Sequence, residues 1–419
     1  MIEEAYRMTD EQKLYMYLLR CAIRGEEEQE EILTQYKHVE TGTILDKAVE
    51  NGQHLLLTPY ISAFEQLKGG EKLGIPVDLI VKQYSQYQCI RNILTKAKEK
   101  GILLILFKGC ILADLYPEYI QRISCDTDML VYPEDRIQAE QLLAESGYVH
   151  NEEKSNPEVQ VYQLEKPKHN VELHTCLWED YSGKRLDILK EMQLDKRESL
   201  ITKDVCGISV TTLGYEEHLI YQMFHIVKHF SLQGVGIKYL ADITLYVDAY
   251  GQYIDYSDFW EKVERLGYDK FCYEFFNLCV ELLGMKDDIL QGRKAEKNSG
   301  KMLLMQDLFQ MGKTYADKTA GWQIMGMMTP YFVGEKEGSH SAGKRKLQVI
   351  FPASKDLPEE YLYAKKHPVL LPIAWGHKAV RYLVRYQRNR KTWYSVSEKL
   401  DVAQKRIALM DSLGLLDKR

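Results

Sequence analysis

The sequence predicts an α+β protein: a small mixed sheet with its own helices, flanked on both sides by helical segments. Three observations predict it. Residues 1–95 carry apolar positions three and four apart with charges between them, the spacing of amphipathic helices. From 102 to about 212 the pattern changes to short β runs alternating with short helices. Helical periodicity then returns from Gly214 onward. The expected organisation is a helical N-terminal segment over 1–95, a core over 96–212, a helical domain packing on it over 213–333, and a loop with a helical tail over 334–419.

The totals fit this. A chain of 419 residues exceeds one typical core, and 45% apolar with 28% charged residues is the composition of an ordinary folded protein. With 55 basic against 61 acidic residues the net charge is -6, which argues against bulk nucleic-acid binding and confines any polyanion contact to a local patch. The eight cysteines form no Cys-x-x-Cys pair and fall mostly in apolar segments, so they read as buried thiols of a reducing cytoplasm. The N-terminus shows no basic-then-apolar signal pattern, and no apolar run has the length of a membrane span. A soluble, cytoplasmic protein is expected.

Taken in order, helices are predicted over 14–21, 32–36, 44–67 and 77–98, the last stopped by Lys100-Gly101. Residues 102–107 form a continuous apolar strand, as expected of one buried on both faces. A short helix over 111–119, a strand over 126–132 and a helix over 133–146, opened by Pro133 and closed by Gly147, follow. Further strands are predicted at 148–151, 159–164, 171–176 and 208–212. Helices return at 215–230, 237–250, 258–266, 271–283 and 302–310, then, beyond a polar Gly-rich loop over 334–347, at 358–389 and 397–413.

The chemistry gathers between Ile102 and Met129. Asp126 and Asp128 sit one residue apart before an apolar run, so on a strand they share a face. Two carboxylates held together repel and lose hydration, which a divalent cation between them offsets. Glu172 and His174 lie in an apolar, acid, apolar alternation and share the face opposite Val171 and Leu173. A third carboxylate from a neighbouring strand would complete a cage for Mg2+ or Mn2+, as two-metal phosphoryl transfer requires. Gly109 lets a phosphate approach the backbone, and a helix starting there would aim its N–H groups at the anion.

The order strand, glycine turn, short helix, Asp-x-Asp strand and later acid is similar to the DNA polymerase β-like nucleotidyltransferase superfamily. The run from Phe107 through Lys108, Gly109 and Cys110 to Tyr116-Pro117, with Arg122, Asp126-Thr127-Asp128-Met129 and Gly147-Tyr148, resembles more narrowly a bacterial group of uncharacterised nucleotidyltransferases. The likeness covers about 96–250, with less specific echoes at 51–60 and 368–381. It implies a Mg2+-dependent transferase moving a nucleoside monophosphate from an NTP to an acceptor hydroxyl or phosphate, with 96–212 as its catalytic core. It assigns Asp126 and Asp128 as the metal pair, Glu172 as the third carboxylate, and Gly109 as the glycine of the phosphate turn. The chain departs in having Cys110 where the superfamily has Ser, and in a gap of 16 residues between Gly109 and Asp126. Cys110 is the poorer hydrogen-bonding group at a phosphate, and Lys108 and Arg122 are placed to compensate with charge. The alternative is a catalytically weak nucleotide-binding or regulatory module that keeps the fold.

Two features lie outside that core. His218, His225 and His229 fall within a helical stripe about 40° wide, bordered by Lys228. With His174 and with Asp242 on the next helix, the residues His225, Lys228 and His229 are candidates for substrate contact. The alternatives are a partly exposed histidine face and, from the His225/His229 pair, a zinc site lacking a clear third ligand. Lys378, Arg381, Arg385, Arg388, Arg390 and Lys391, interleaved with Tyr382, Tyr386 and Trp393, form a basic stripe. It is either a solvated helix face or a dock for an acidic partner. The core residues have plainer readings too: Asp126 and Asp128 in a salt-bridge network with Arg122 and Lys108, Glu172 and His174 on the solvated face of an edge strand, and Arg122 as a carboxylate clamp.

Overall fold

A computed structural model describes residues 8–178, 184–232, 234–294, 300–315, 354, 357, 361–388 and 405–416. The chain divides into two compact units, one of 1–312 with 412–414 and one of 313–411 with 415–419.

In the first unit, helices α1 (Asp10–Arg24), α2 (Glu30–Gln35), α3 (Thr41–Glu50), α4 (His54–Leu67) and α5 (Val77–Lys100) precede the sheet. Helix α1 begins where Thr9 and Gln12 cap each other's amides and stops at Gly25, whose φ of 64° is open to glycine without strain. The single helix expected over 44–67 is two, because Asn51-Gly52 turns the chain, Gly52 having a φ of 64°.

Among the described residues the sheet has seven strands: β1 (Leu104–Leu106), β2 (Asp126–Val131), β3 (Val149–His150), β4 (Val159–Leu164), β5 (His169–His174), β6 (Ile201–Val205) and β7 (Ile208–Thr212). Their order is β3-β4-β5-β2-β1-β7-β6, mixed, with β2 parallel to β5, β1 parallel to β7 and the other neighbours antiparallel. Strand β6 was not foreseen. It forms a hairpin with β7 across Cys206-Gly207, both at positive φ. The predicted helix over 111–119 is only α6 (Gly109–Ala113), and the helix expected from Pro133 starts three residues later as α7 (Arg136–Glu145).

One face of the sheet is mostly apolar, with Thr127 and His169 buried on it as a hydrogen-bonded pair. Leu104, Leu106, Met129, Val131, Val171, Leu173 and Val210 pack there against Ile90, Ile93 and Ala97 of α5 and Ala139, Leu142 and Leu143 of α7. The alternation of strand side chains therefore sends Ile105, Asp126, Asp128, Leu130, Glu172 and His174 to the other face. That face meets helix α9 (Tyr215–Leu232), whose Tyr221 ring stands edge-on to Phe107 at 5.2 Å. After α8 (Lys184–Met192), also unforeseen, and α9 come α10 (Lys238–Tyr250), α11 (Tyr256–Arg265), α12 (Asp269–Leu283) and α13 (Lys301–Tyr315). In the second unit the described helices include α14 (Leu362–Lys366) and α15 (Leu371–Arg388), which together divide the span expected at 358–389. The 334–347 loop lies outside the described residues.

Candidate functional site

The turn after β1 is built on an unusual backbone. Lys108 has φ 60° and ψ -124°, a region L-residues avoid, and its amide donates to His218 Nε2 of α9 at 3.1 Å. Burial pushes the His218 imidazole down to about 3, so it stays neutral and its Nε2 accepts. Gly109 is needed for space: a Cβ there would lie 2.9 Å from Arg122 Nη1 and 3.0 Å from Ser124 Oγ.

Beside this turn, β2 and β5 run parallel with Asp128 directly opposite Glu172 and Asp126 opposite Asn170. Donor atoms of Asp128, Glu172 and His174 converge within 4.8 Å of one another. His174 Nε2 is 3.1 Å from Asp128 Oδ1 and 3.8 Å from Glu172 Oε2, and Lys108 Nζ donates to the same Asp128 Oδ1 at 2.6 Å. Burial alone would raise the Asp128 carboxyl, but the Lys108 ammonium and the His174 hydrogen bond more than offset it and hold it below the carboxylate range. The same pairing raises Lys108 against its own burial. Asp126, half-buried, is raised by burial and by the charge of Asp128. Two carboxylates and an imidazole nitrogen this close fit the ligand chemistry of one divalent ion, with Asp126 one pleat further along the same face.

The loop leading into β2 is held from three sides. Gln83 of α5, fully buried, accepts from the Ser124 amide at 3.1 Å and donates to the Ser124 carbonyl at 3.2 Å. Lys238 Nζ, at the start of α10, donates to the Ile123 carbonyl at 2.8 Å, and burial brings that amine down to about 8. Arg122 makes a two-pronged ion pair with Asp242, Nε to Oδ1 and Nη2 to Oδ2 both at 2.8 Å, while its Nη1 donates to the Gly109 carbonyl at 3.2 Å. Asp242 Oδ1 also accepts from Tyr116 at 2.8 Å. Asn51 Oδ1, from the break between α3 and α4, accepts the Ile237 amide at 2.9 Å and so fixes where α10 begins.

The structure thus brings together Lys108, Asp128, Glu172 and His174, with Asp126 beside them. In the convergent set, the third member is His174 where Asp126 was expected. Strand β5 lies between β4 and β2, which rules out the edge-strand reading of Glu172 and His174. Four expectations are corrected. Cys110 is 6% exposed in the apolar core, and burial pushes its thiol up to about 12, so its side chain faces packed hydrocarbon. Arg122 is the carboxylate clamp: Asp242 neutralises it, and Asp242 in turn is too enclosed, its side chain 2% exposed, to meet a substrate. Helix α6 has five residues, too few for a strong dipole, and the Lys108 amide is already engaged by His218.

His225 and His229 continue the wall begun by Tyr221: Tyr221 stacks on His225 at 6.1 Å, and the two imidazoles stand 4.2 Å apart. Burial and the Lys108 charge depress His225, which ties this part of α9 electrostatically to the site. Lys228 is half-buried on the same helix. Among the described residues no third Cys, His, Asp or Glu joins His225 and His229 as a metal cluster. Lys378, Arg381, Arg385 and Arg388 do fall on one helix, α15, whereas Arg390, Lys391 and Trp393 lie outside the described residues. The sequence reading missed Tyr221, Gln83 and Lys238. Tyr221 was detectable, standing four residues before His225 on the same stripe, and its ring lies 5.7 Å from Lys108 Nζ. Gln83 and Lys238 carried no local signal.

The model of a family described as uncharacterised nucleotidyltransferase matches residues 78–284, the span from the start of α5 to the end of α12. No curated protein and no solved structure matches the chain.

Proposed function

Because the chain belongs, through residues 78–284, to the uncharacterised nucleotidyltransferase family and so is a transferase of nucleotidyl groups, we propose that it moves a nucleoside monophosphate from an NTP to a hydroxyl or phosphate acceptor. Asp126, Asp128 and Glu172 hold Mg2+ or Mn2+ in this reading. The ions, when bound, neutralise the triphosphate and lower the barrier to attack at the α-phosphorus, which is the two-metal scheme. Glu172, whose side chain is 34% exposed against 8% for Asp128, is the carboxylate open enough to receive the acceptor's proton. The acceptor oxygen bonds to the α-phosphorus, the bond from that phosphorus to the bridging oxygen breaks, and pyrophosphate leaves. Lys108, now paired with Asp128, is the cation of the turn that would meet the phosphates once a bound ion neutralises Asp128, since Arg122 stays clamped by Asp242.

The observation that carries this reading is the register of β2 on β5, which sets Asp128 against Glu172 inside the matched span. The buried Cys110 thiol and the neutralised Arg122 favour one second reading, a nucleotide-binding module with little catalysis. Calorimetric titration with NTP and Mg2+ or Mn2+ tests the first: wild type binds, and Asp126→Asn with Asp128→Asn abolishes metal-dependent binding. An unchanged titration in the double variant removes the assignment, and binding without pyrophosphate release supports the module.

A cytoplasmic setting belongs to the same proposal, supported by eight free cysteines. No helix among the described residues is long and apolar enough to cross a membrane. The basic residues of α15 would suit an acidic acceptor or partner.

A further inference from the structure

The site's donor set is not made of oxygen alone. His174 is 2% exposed, and the Phe107 ring stands edge-on to it at 5.1 Å, so the imidazole has little freedom to turn away. Its Nε2 points at both carboxylates, 3.1 Å from Asp128 Oδ1 and 3.8 Å from Glu172 Oε2. The same register that opposes Asp128 to Glu172 carries His174 onto that face two residues on, so this geometry is written into β5. Mg2+ is a hard ion that demands oxygen ligands and keeps much of its water, whereas an imidazole nitrogen suits first-row transition metals.

We infer that His174 Nε2 is itself a metal ligand and that the cluster takes a first-row transition-metal dication, Mn2+ or a later one, in preference to Mg2+. This rests on the proposed metal-dependent reading of the site and fixes its ion class. Lys108 now donates to Asp128 Oδ1, and an ion held by that oxygen would displace its ammonium towards an anionic ligand.

The test uses the full chain loaded with Mn2+ or Mg2+ alone. Calorimetry should give a wild-type Mn2+ affinity at least about tenfold above that for Mg2+. Pulsed electron paramagnetic resonance of the Mn2+ form should show coupling to a 14N nucleus. His174→Gln should remove that coupling and lower Mn2+ affinity by about tenfold or more, with the Mg2+ affinity little changed. A wild-type spectrum with oxygen ligands only, or an unchanged Mn2+ to Mg2+ ratio in the variant, overturns the inference. The wild-type spectrum decides by itself if His174→Gln does not fold. Oxygen-only Mn2+ together with pyrophosphate release from NTP removes this inference and leaves the transferase reading standing. Nitrogen coupling without nucleotidyl transfer does the reverse.

Discussion

The Lys108-Gly109 pair shows how two adjacent residues divide a task usually credited to glycine alone. Lys108 carries the glycine-like backbone, with φ 60°, and is held there by His218 at its amide and Asp128 at its ammonium. Gly109 carries the steric requirement, because Arg122, pinned by Asp242, leaves no room for a Cβ. Gly109→Ala should therefore lower stability by about 1–3 kcal/mol, the range for overpacking a filled site, read as a lower urea midpoint with an unchanged slope. A variant as stable as wild type would mean that the Arg122 clamp yields easily. From the sequence Gly109 was legible as a site of close approach, but what approaches it was not, since Arg122 and Asp242 are 120 residues apart.

Between elements, neutral histidines serve as internal pins. His218 accepts the amide that ties the β1–α6 turn to α9, and His169 of β5 bonds Thr127 of β2 at 2.9 Å and Tyr148 at 2.6 Å. Burial depresses both, to about 3 for His218 and about 4 for His169, from an ordinary 6.5. The unfolded chain then binds more protons, so this stability is fully present above pH 6.5 and is lost as pH falls towards 4, by about 1.4 kcal/mol per pH unit for each histidine. Denaturant unfolding between pH 7 and pH 4.5 measures the slope, and His218→Gln should reduce it by one histidine's share. An identical slope in the variant would mean that His218 takes up its proton at the same pH in the folded and the unfolded chain. The strands carrying Asp128 and Glu172 could be read because their alternation is local. The break at Gly52 and strand β6 were missed although each follows from a local turn, with Gly52 and Gly207 at positive φ.

At the scale of the molecule, the sequence separated helical flanks from a mixed-sheet core, and the family match over 78–284 runs across those divisions, from α5 through α12. The physical reason is visible in the packing. Gln83 of α5, Lys238 and Asp242 of α10, and His218 and Tyr221 of α9 all reach the loop, turn or face beside Asp128, so the candidate site is built with helices from both sides of the sheet in sequence. Such contacts join residues far apart in the chain and leave no trace in periodicity. In the proposed function this assembly transfers a nucleotidyl group through Asp128 and Glu172. That transfer is tested most directly by following label from NTP carrying 32P at either the α or the γ position, with wild type and with Asp128→Asn. α-Label should enter an acceptor while γ-label leaves in pyrophosphate, and Asp128→Asn should lower both by more than about 100-fold, beyond what disturbing a ligand's hydrogen-bonding partner costs. Transfer of γ-label, its release as orthophosphate, or undiminished α-transfer in Asp128→Asn would contradict it.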